Sequence, residues 1–170
     1  METIAIYNNE EITEEESASF RQRLATRGVI FDNENKVALL HIQSKGYYNL
    51  PGGGVEAGED SRQAIIRECQ EEIGRDIKIT AELGRTLEYR KETCVVNESH
   101  GYMGMARGPK GERRLVGDEN EAEKNCTIVW VSLEEAIRCM ENTKAPERLY
   151  SKYILARDLA FLQKAQKVLR

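Results

Sequence analysis

The sequence is poor in the residues that form zinc sites and disulfide frameworks. Its 170 residues include two histidines and four cysteines, and the cysteines are widely scattered with no C-x-x-C pair. This distribution does not indicate a structural metal site or a set of disulfides. It favours reduced thiols in a cytoplasmic protein.

Long apolar runs and a basic charge balance are also missing. No segment approaches the roughly 18 apolar residues of a membrane span, and acidic residues interrupt the N-terminal region, so neither a membrane anchor nor a signal peptide is predicted. The net charge is −4 and the pI about 5.4, which gives no general attraction to nucleic acid or to an anionic membrane. A polyanionic small molecule would therefore need a bound metal and a local cluster of basic residues.

The length of the chain limits the number of domains that it can form. At this size a chain buries about two-thirds of its unfolded surface, which suffices for one core. We expect a single domain over residues 1–170, with residues 1–20 as a short N-terminal extension. The sequence has no internal repeats.

The segment 50–75 concentrates the chemistry. It opens with Pro51 followed by three glycines, whose backbone can adopt positive φ and approach a ligand closely. Asp60 followed by Gln63 forms a capping-box pattern, and Gly74 is placed as a C-terminal cap. The pattern predicts a helix over residues 61–73.

Three glutamates lie on one face of that predicted helix. Glu68, Glu71 and Glu72 stand at i, i+3 and i+4, whereas Ile66, Cys69 and Ile73 are expected to form the apolar stripe. Three neighbouring carboxylates repel one another unless a hard cation such as Mg²⁺ or Mn²⁺ lies between them. A solvated acidic face is the alternative, and the spacing alone leaves both readings open.

A wider pattern favours the metal site. Gly53, Glu59 and the run Arg67-Glu68-Cys69-Gln70-Glu71-Glu72-Ile73-Gly74 stand at the spacing of the Nudix box, and Leu50-Pro51-Gly52 is typical of the residues before it. The chain thus resembles the Nudix hydrolases, the MutT-like family, with the box at residues 53–75. Arg75 departs from the apolar residue that ends the family motif, at a position without a metal role in the family.

The resemblance implies a fold and a set of site residues. The fold is α/β, an α/β/α sandwich with a central mixed β-sheet. Mg²⁺, with Mn²⁺ as an alternative, would be bound by Glu68, Glu71, Glu72 and the carbonyl of Gly52. Glu68 is the first candidate for activating water, and the alternatives are four acids of a later loop: Asp118, Glu119, Glu121 and Glu123.

Other box residues are expected to support these ligands. Arg67 and Glu59 look like an ion pair that orients the glutamates, as metal sites require. Arg67 is also included among the expected catalytic residues. Gly53 and Gly74 would shape the loop and the helix end. A P-loop is excluded because no Gly-Lys-Ser/Thr follows the glycines.

Substrate contacts are expected outside the box. Arg21, Arg23 and Arg27 are candidates for binding phosphates, since arginine pairs well with phosphate oxygens. A plain solvent-exposed position is an equally weighted alternative for these arginines. Tyr48 is a candidate for stacking on a base, with plain packing as its alternative. A core or sheet-edge role is favoured for His41 and a hydrogen-bonding role for His100.

The remaining elements follow from the apolar pattern. Strands are predicted over residues 3–7, 21–31, 36–42, 77–90, 94–106 and 127–131. Ser132 is predicted to cap a helix, with Glu135 completing a capping box. A last helix is predicted from 146 or 147 to 169, with these residues on its packing side: Leu149, Tyr153, Ala156, Ala160 and Ala165.

Three functions stay open at this point. The favoured one is a Mg²⁺-dependent pyrophosphohydrolase that cleaves a nucleoside diphosphate linked to another moiety, with a (deoxy)nucleoside triphosphate as substrate. ADP-ribose, sugar nucleotides and dinucleoside polyphosphates are alternative substrates. A nucleotide-binding Nudix-fold module without turnover is the second function, and a cation-binding structural domain is the third, disfavoured because no EF-hand loop exists. Nucleic acid and membranes are not expected as partners, and a homodimer is left open.

Overall fold

A computed structural model describes residues 1–43, 46–109, 111, 126–143 and 149–170. In these residues the chain forms the following elements, in order: β1 (Thr3–Tyr7), α1 (Glu14–Ser17), β2 (Arg21–Phe31), β3 (Val37–Ile42), β4 (Tyr47–Asn49), α2 (Ser61–Ile73), β5 (Asp76–Arg90), β6 (Val95–Arg107), β7 (Cys126–Val131), α3 (Leu133–Asn142) and α4 (Leu149–Val168). The predicted strands are all present. The short strand β4 was not predicted from the sequence.

The strands of the described residues form one mixed sheet. Its order is β1-β5-β6-β2-β3-β4, and β7 pairs with β3. The pairs β1–β5 and β2–β6 are parallel, and the other pairs are antiparallel. The predicted central mixed sheet is confirmed.

Helices cover both faces of this sheet. Successive residues of a strand point to opposite faces, so Arg27 and Gly28 of β2 mark the two sides. On the Gly28 side lies Ile65 of α2, within 3.0 Å of the position that a Cβ at Gly28 would occupy. On the other side, Phe161 of α4 packs against Gly101, the strand partner of Arg27. The predicted α/β/α sandwich is confirmed.

Helix α2 has the predicted bounds and caps. Asp60 accepts hydrogen bonds from the backbone of Arg62 and Gln63, the Gln63 side chain completes the capping box, and Gly74 ends the helix in the left-handed conformation. The predicted apolar stripe is wrong in one residue, because Ile66 is 36% exposed whereas Ile65 is fully buried. Two glutamates of this helix are also buried, so the face that packs on the sheet is rotated from the one that the apolar residues alone suggested.

Helix α4 lies against the sheet on a face that differs from the predicted one. Tyr153 and Ala165 are buried as expected, but Ala156 and Ala160 are only half-buried. The buried face includes Leu155, Arg157, Asp158, Phe161 and Leu162. The predicted start at 146 or 147 lies outside the described residues.

The N-terminal extension contributes the edge strand of the same sheet. β1 pairs with β5, and the Tyr7 ring stacks on Tyr153 of α4 with 5.8 Å between ring centroids. The backbone N–H of Asn9 donates to the Tyr153 hydroxyl at 2.9 Å. One domain over residues 1–170 remains our proposal. Among the described helices none is long and apolar enough to span a membrane.

Candidate active site

The glycine loop lies along β2 like a short extra strand. The N–H of Thr26 donates to the Gly53 carbonyl and the N–H of Gly28 to the Pro51 carbonyl, both at 2.9 Å. Gly52 between them has φ +136°, and a Cβ there would lie 2.2 Å from the Thr26 carbonyl oxygen. Only glycine tolerates both this positive φ and this close approach to the β2 backbone. The path of the loop along β2 therefore requires glycine at position 52.

Helix α2 places two buried carboxylates against this loop. Glu68 and Glu72 are 7% and 8% exposed. The backbone N–H of Gly52 donates to Glu72 Oε2 at 2.6 Å, and a Cβ at Gly53 would come within 2.2 Å of Glu68 Oε1. The structure therefore brings Gly52, Gly53, Glu68 and Glu72 together.

Arg67 connects the loop with the carboxylates. It donates from Nη2 to Glu59 Oε1 at 2.7 Å and to the Gly54 carbonyl at 3.0 Å. Its Nη1 donates to Glu68 Oε1 at 3.1 Å and to Glu71 Oε2 at 3.0 Å. The expected pair with Glu59 is present, and the contacts to Glu68 and Glu71 are additional. One guanidinium thus offsets part of the repulsion among the acidic groups.

Burial makes the carboxyl group of Glu68 costly to leave charged. Burial raises the pKa of its carboxyl group, although the nearby Arg67 and Arg27 oppose that effect. A buried carboxylate that is costly to leave charged gains free energy from a hard cation. Glu68, Glu72 and the Gly52 carbonyl are oxygen donors of the kind that could hold Mg²⁺.

Glu71 stands apart from the two buried glutamates. Among the described residues no group of three acidic, His or Cys side chains is close enough to hold a metal ion. Arg67 Nη1 lies between Glu68 and Glu71 instead. Binding of one cation by Glu68, Glu71 and Glu72 together therefore requires Arg67 to leave that place.

The three candidate arginines of β2 differ in their surroundings. Arg27 is largely buried, donates from Nη1 to the Thr26 carbonyl at 2.6 Å, and burial lowers its pKa to about 10. Arg23 is half-buried, bonds to Asn97 at 2.6 Å, and lies beside Gly54. Arg21 is exposed at the start of the strand. The structure places Arg23 and Arg27 next to the glycine loop and leaves Arg21 two residues farther along the strand.

Tyr48 and the two histidines are not part of the cluster formed by Glu68, Glu72 and the glycine loop. Tyr48 stacks on His41 across the β3–β4 pair, so His41 has the predicted sheet position. His100 Nδ1 lies 2.9 Å from Ser61 Oγ at the start of α2, and its Nε2 lies 2.7 Å from Glu98 Oε1. The hydrogen-bonding role predicted for His100 is confirmed. The candidate bases Asp118, Glu119, Glu121 and Glu123 lie outside the described residues.

A buried ion pair that was not predicted from the sequence anchors the loop. Asp158 of α4 is fully buried and accepts hydrogen bonds from the Leu50 backbone N–H at 2.8 Å and from Arg157 Nε at 2.7 Å. Arg157 also reaches Glu88 at 3.4 Å, and Asp158 lies 4.0 Å from Arg27 Nε. The available signal was an Arg-Asp pair in the middle of an otherwise apolar helix face.

Glu98 has a pKa that depends on its partners on the α2 side of the sheet. Burial raises the pKa of Glu98, but hydrogen bonds from His100 and Arg85 outweigh that effect and hold the pKa below its ordinary value of 4.5. A carboxylate with a lowered folded pKa stabilises the fold above its unfolded pKa. That contribution is lost as the pH falls through the folded value.

We therefore expect Glu98→Gln to reduce the acid sensitivity of the fold. The free energy of unfolding of the variant should fall less steeply than that of the wild type between about pH 5 and pH 3. Urea unfolding at several pH values measures both slopes, with Glu141→Gln on the exposed side of α3 as the control. Equal slopes for wild type and Glu98→Gln would contradict the assignment.

Comparison with known proteins places this site in a family. A family model described as the NUDIX domain matches residues 21–153. An ADP-ribose pyrophosphatase of Methanocaldococcus jannaschii is 39% identical over 64 residues, 36% of this chain and 37% of that protein. An 8-oxo-dGTP diphosphatase of Proteus vulgaris is 43% identical over 54 residues, 29% of this chain and 48% of that protein. The matched segments span less than half of each relative.

A solved structure agrees in fold. The Ap4A hydrolase of C. elegans superposes with a TM-score of 0.59 at 19% identity, over 88% of this chain and 100% of that chain. At this identity the likeness shows the fold alone. The NUDIX match covers most of the chain, including the glycine loop and helix α2, and the protein therefore belongs to the Nudix family.

Proposed function

We propose that this protein is a Mg²⁺-dependent pyrophosphohydrolase that cleaves a nucleoside diphosphate linked to another moiety, with a (deoxy)nucleoside triphosphate as the favoured substrate. The observation that carries the proposal is the pair of buried carboxylates, Glu68 and Glu72, held against the glycine loop. Nudix enzymes generally use divalent metal ions and act on small nucleotides. The cytoplasmic location and the homodimer stay predictions.

The proposed cation site uses the residues at the junction of loop and helix. Glu68, Glu72 and the Gly52 carbonyl would hold Mg²⁺, and Glu71 would join them once Arg67 is displaced. A bound Mg²⁺ offsets charge on phosphate oxygens and eases the ionisation of water. Phosphoryl transfer depends mainly on such electrostatics and on positioning.

The chain's own residues have separate tasks in this proposal. Before a cation binds, Arg67 would hold Glu68 and Glu71 in place and tie them to the loop through Gly54. Arg23, whose guanidinium lies beside Gly54, would bind a substrate phosphate. Arg27 is too deeply buried for a full bidentate contact, so its positive charge acts on the site from behind the loop. Glu68 is the first candidate to activate the attacking water.

A substrate panel tests the proposal. Purified protein is incubated with dGTP, dCTP, ADP-ribose, a UDP-sugar and a diadenosine polyphosphate, with Mg²⁺ or with EDTA, and the products are separated by chromatography. We expect Mg²⁺-dependent turnover that is fastest for the triphosphates. Faster turnover of ADP-ribose, which the name of the M. jannaschii relative favours, would correct the substrate but keep the reaction. Absence of turnover with every compound would indicate a binding module.

A further inference from the structure

A groove lies between the β3–β4 pair and helix α3. Its volume is about 730 Å³, within the range of small-molecule sites in proteins. His41 and Tyr48 form one wall, and side chains of α3 form the other. Glu68, Glu71 and Glu72 do not line this groove, so the groove is distinct from the proposed cation site.

The sheet wall of the groove is aromatic. His41 and Tyr48 are direct partners across β3 and β4, and their rings stack with centroids 4.5 Å apart and an interplanar angle of 17°. Both side chains are only half-buried. Aromatic rings at an open site stack well on nucleobases, because every base has a π-face.

The helix wall carries hydrogen-bonding groups. Glu135, Arg138 and Asn142 lie at i, i+3 and i+7 of α3 and are exposed, so they share the face that borders the groove. Together they offer a carboxylate acceptor, a guanidinium donor and an amide that does both. Arginine pairs with O6 and N7 of guanine, and asparagine pairs with N6 and N7 of adenine. Pyrimidines have no N7, so this wall suits a purine.

The groove is connected to the glycine loop by a short segment. Tyr48 is four residues from Gly52, so their Cα atoms are at most roughly 14 Å apart. The groove and the loop are therefore close enough to belong to one substrate site.

We propose that this groove is the base subsite of the enzyme and takes a purine stacked beside the Tyr48–His41 wall, with its edge toward Arg138 and Asn142. The inference rests on the proposed function, because it assigns the groove to the same substrate. If the ring stack serves packing alone, removal of the Tyr48 ring changes stability but leaves the KM for nucleotides unchanged.

Two variants and a matched control test the groove. Tyr48→Leu removes the aromatic ring but keeps an apolar side chain, and Arg138→Gln removes the guanidinium on the exposed helix face. The control, Tyr89→Leu, changes a half-buried tyrosine of β5 that does not line the groove. Steady-state kinetics with dGTP and dCTP are compared with NMR titrations of guanosine and cytidine, which carry no phosphate. The titrations follow the ring protons of His41.

We expect Tyr48→Leu to raise the KM for dGTP by about 5- to 100-fold, the effect of losing one base stack, with kcat close to the wild-type value. Arg138→Gln should lower the dGTP to dCTP ratio of kcat/KM by about 5- to 100-fold. Guanosine should shift the His41 ring signals more than cytidine does. Tyr89→Leu should match the wild type in all three measurements.

The two proposals fail in different ways. Mg²⁺-dependent hydrolysis with an unchanged KM in Tyr48→Leu and no nucleoside effect on His41 would overturn the base subsite and leave the proposed function intact. Shifts of His41 with guanosine in a protein that hydrolyses no nucleotide would support the subsite and overturn the function. If Tyr48→Leu fails to fold, Arg138→Gln and the wild-type titrations decide.

Discussion

Glu72→Gln is expected to lower Mg²⁺-dependent kcat by at least about 100-fold, because a metal ion contributes several kcal/mol of transition-state charge stabilisation. Glu72 is buried and accepts the Gly52 N–H at 2.6 Å. A glutamine carbonyl can still accept that hydrogen bond, so the loop keeps its shape while the anionic ligand is lost. Steady-state kinetics and a Mg²⁺ titration measure the effect.

The fold of this variant must be checked separately. The midpoint of thermal unfolding without metal should stay close to that of the wild type. Glu141→Gln, an exposed glutamate of α3, removes the same charge elsewhere and should leave kcat unchanged. An unchanged kcat in Glu72→Gln would refute its assignment as a metal ligand.

Asp158→Ala is expected to lower the free energy of unfolding by about 3–5 kcal/mol, the usual cost of removing one partner of a buried ion pair. The substitution leaves Arg157 without its neighbouring carboxylate and the Leu50 N–H without its acceptor. Arg27 also loses the negative charge at 4.0 Å. Urea unfolding monitored by circular dichroism gives the difference.

Two further substitutions separate charge from hydrogen bonding. Asp158→Asn keeps an acceptor for Leu50 and should cost less than Asp158→Ala. Glu34→Ala breaks an exposed pair with Lys36 and should cost no more than about 1 kcal/mol. Equal losses for Asp158→Ala and Glu34→Ala would show that the buried pair does not hold the loop.

The parts of the fold that sequence predicted well depend on local signals. The bounds of α2 follow from Asp60, Gln63 and Gly74, which act on neighbouring backbone groups. The placement of Glu68 and Glu72 against the loop was reached through the family resemblance. Helical spacing alone left the solvated face open, because it does not say which side of a helix meets the sheet.

The parts that sequence missed depend on distant contacts. Asp158 bonds to a backbone group 108 positions away, and no local pattern encodes that partner. The face of α4 was misassigned for the same reason. Alanines suggested one packing side, but contacts with the sheet and with α3 buried Leu155, Phe161 and Leu162 instead.

The Asp158–Leu50 hydrogen bond has a consequence for the order of assembly during protein synthesis. A ribosome delivers the glycine loop and α2 long before it delivers α4, and chains tend to organise from the N-terminal end as they emerge. Strands β2 and β3 and helix α2 can then associate while Leu50 still has no anchor. The proposed site is therefore expected to be completed late in translation, when α4 docks and anchors a loop that was made more than a hundred residues earlier.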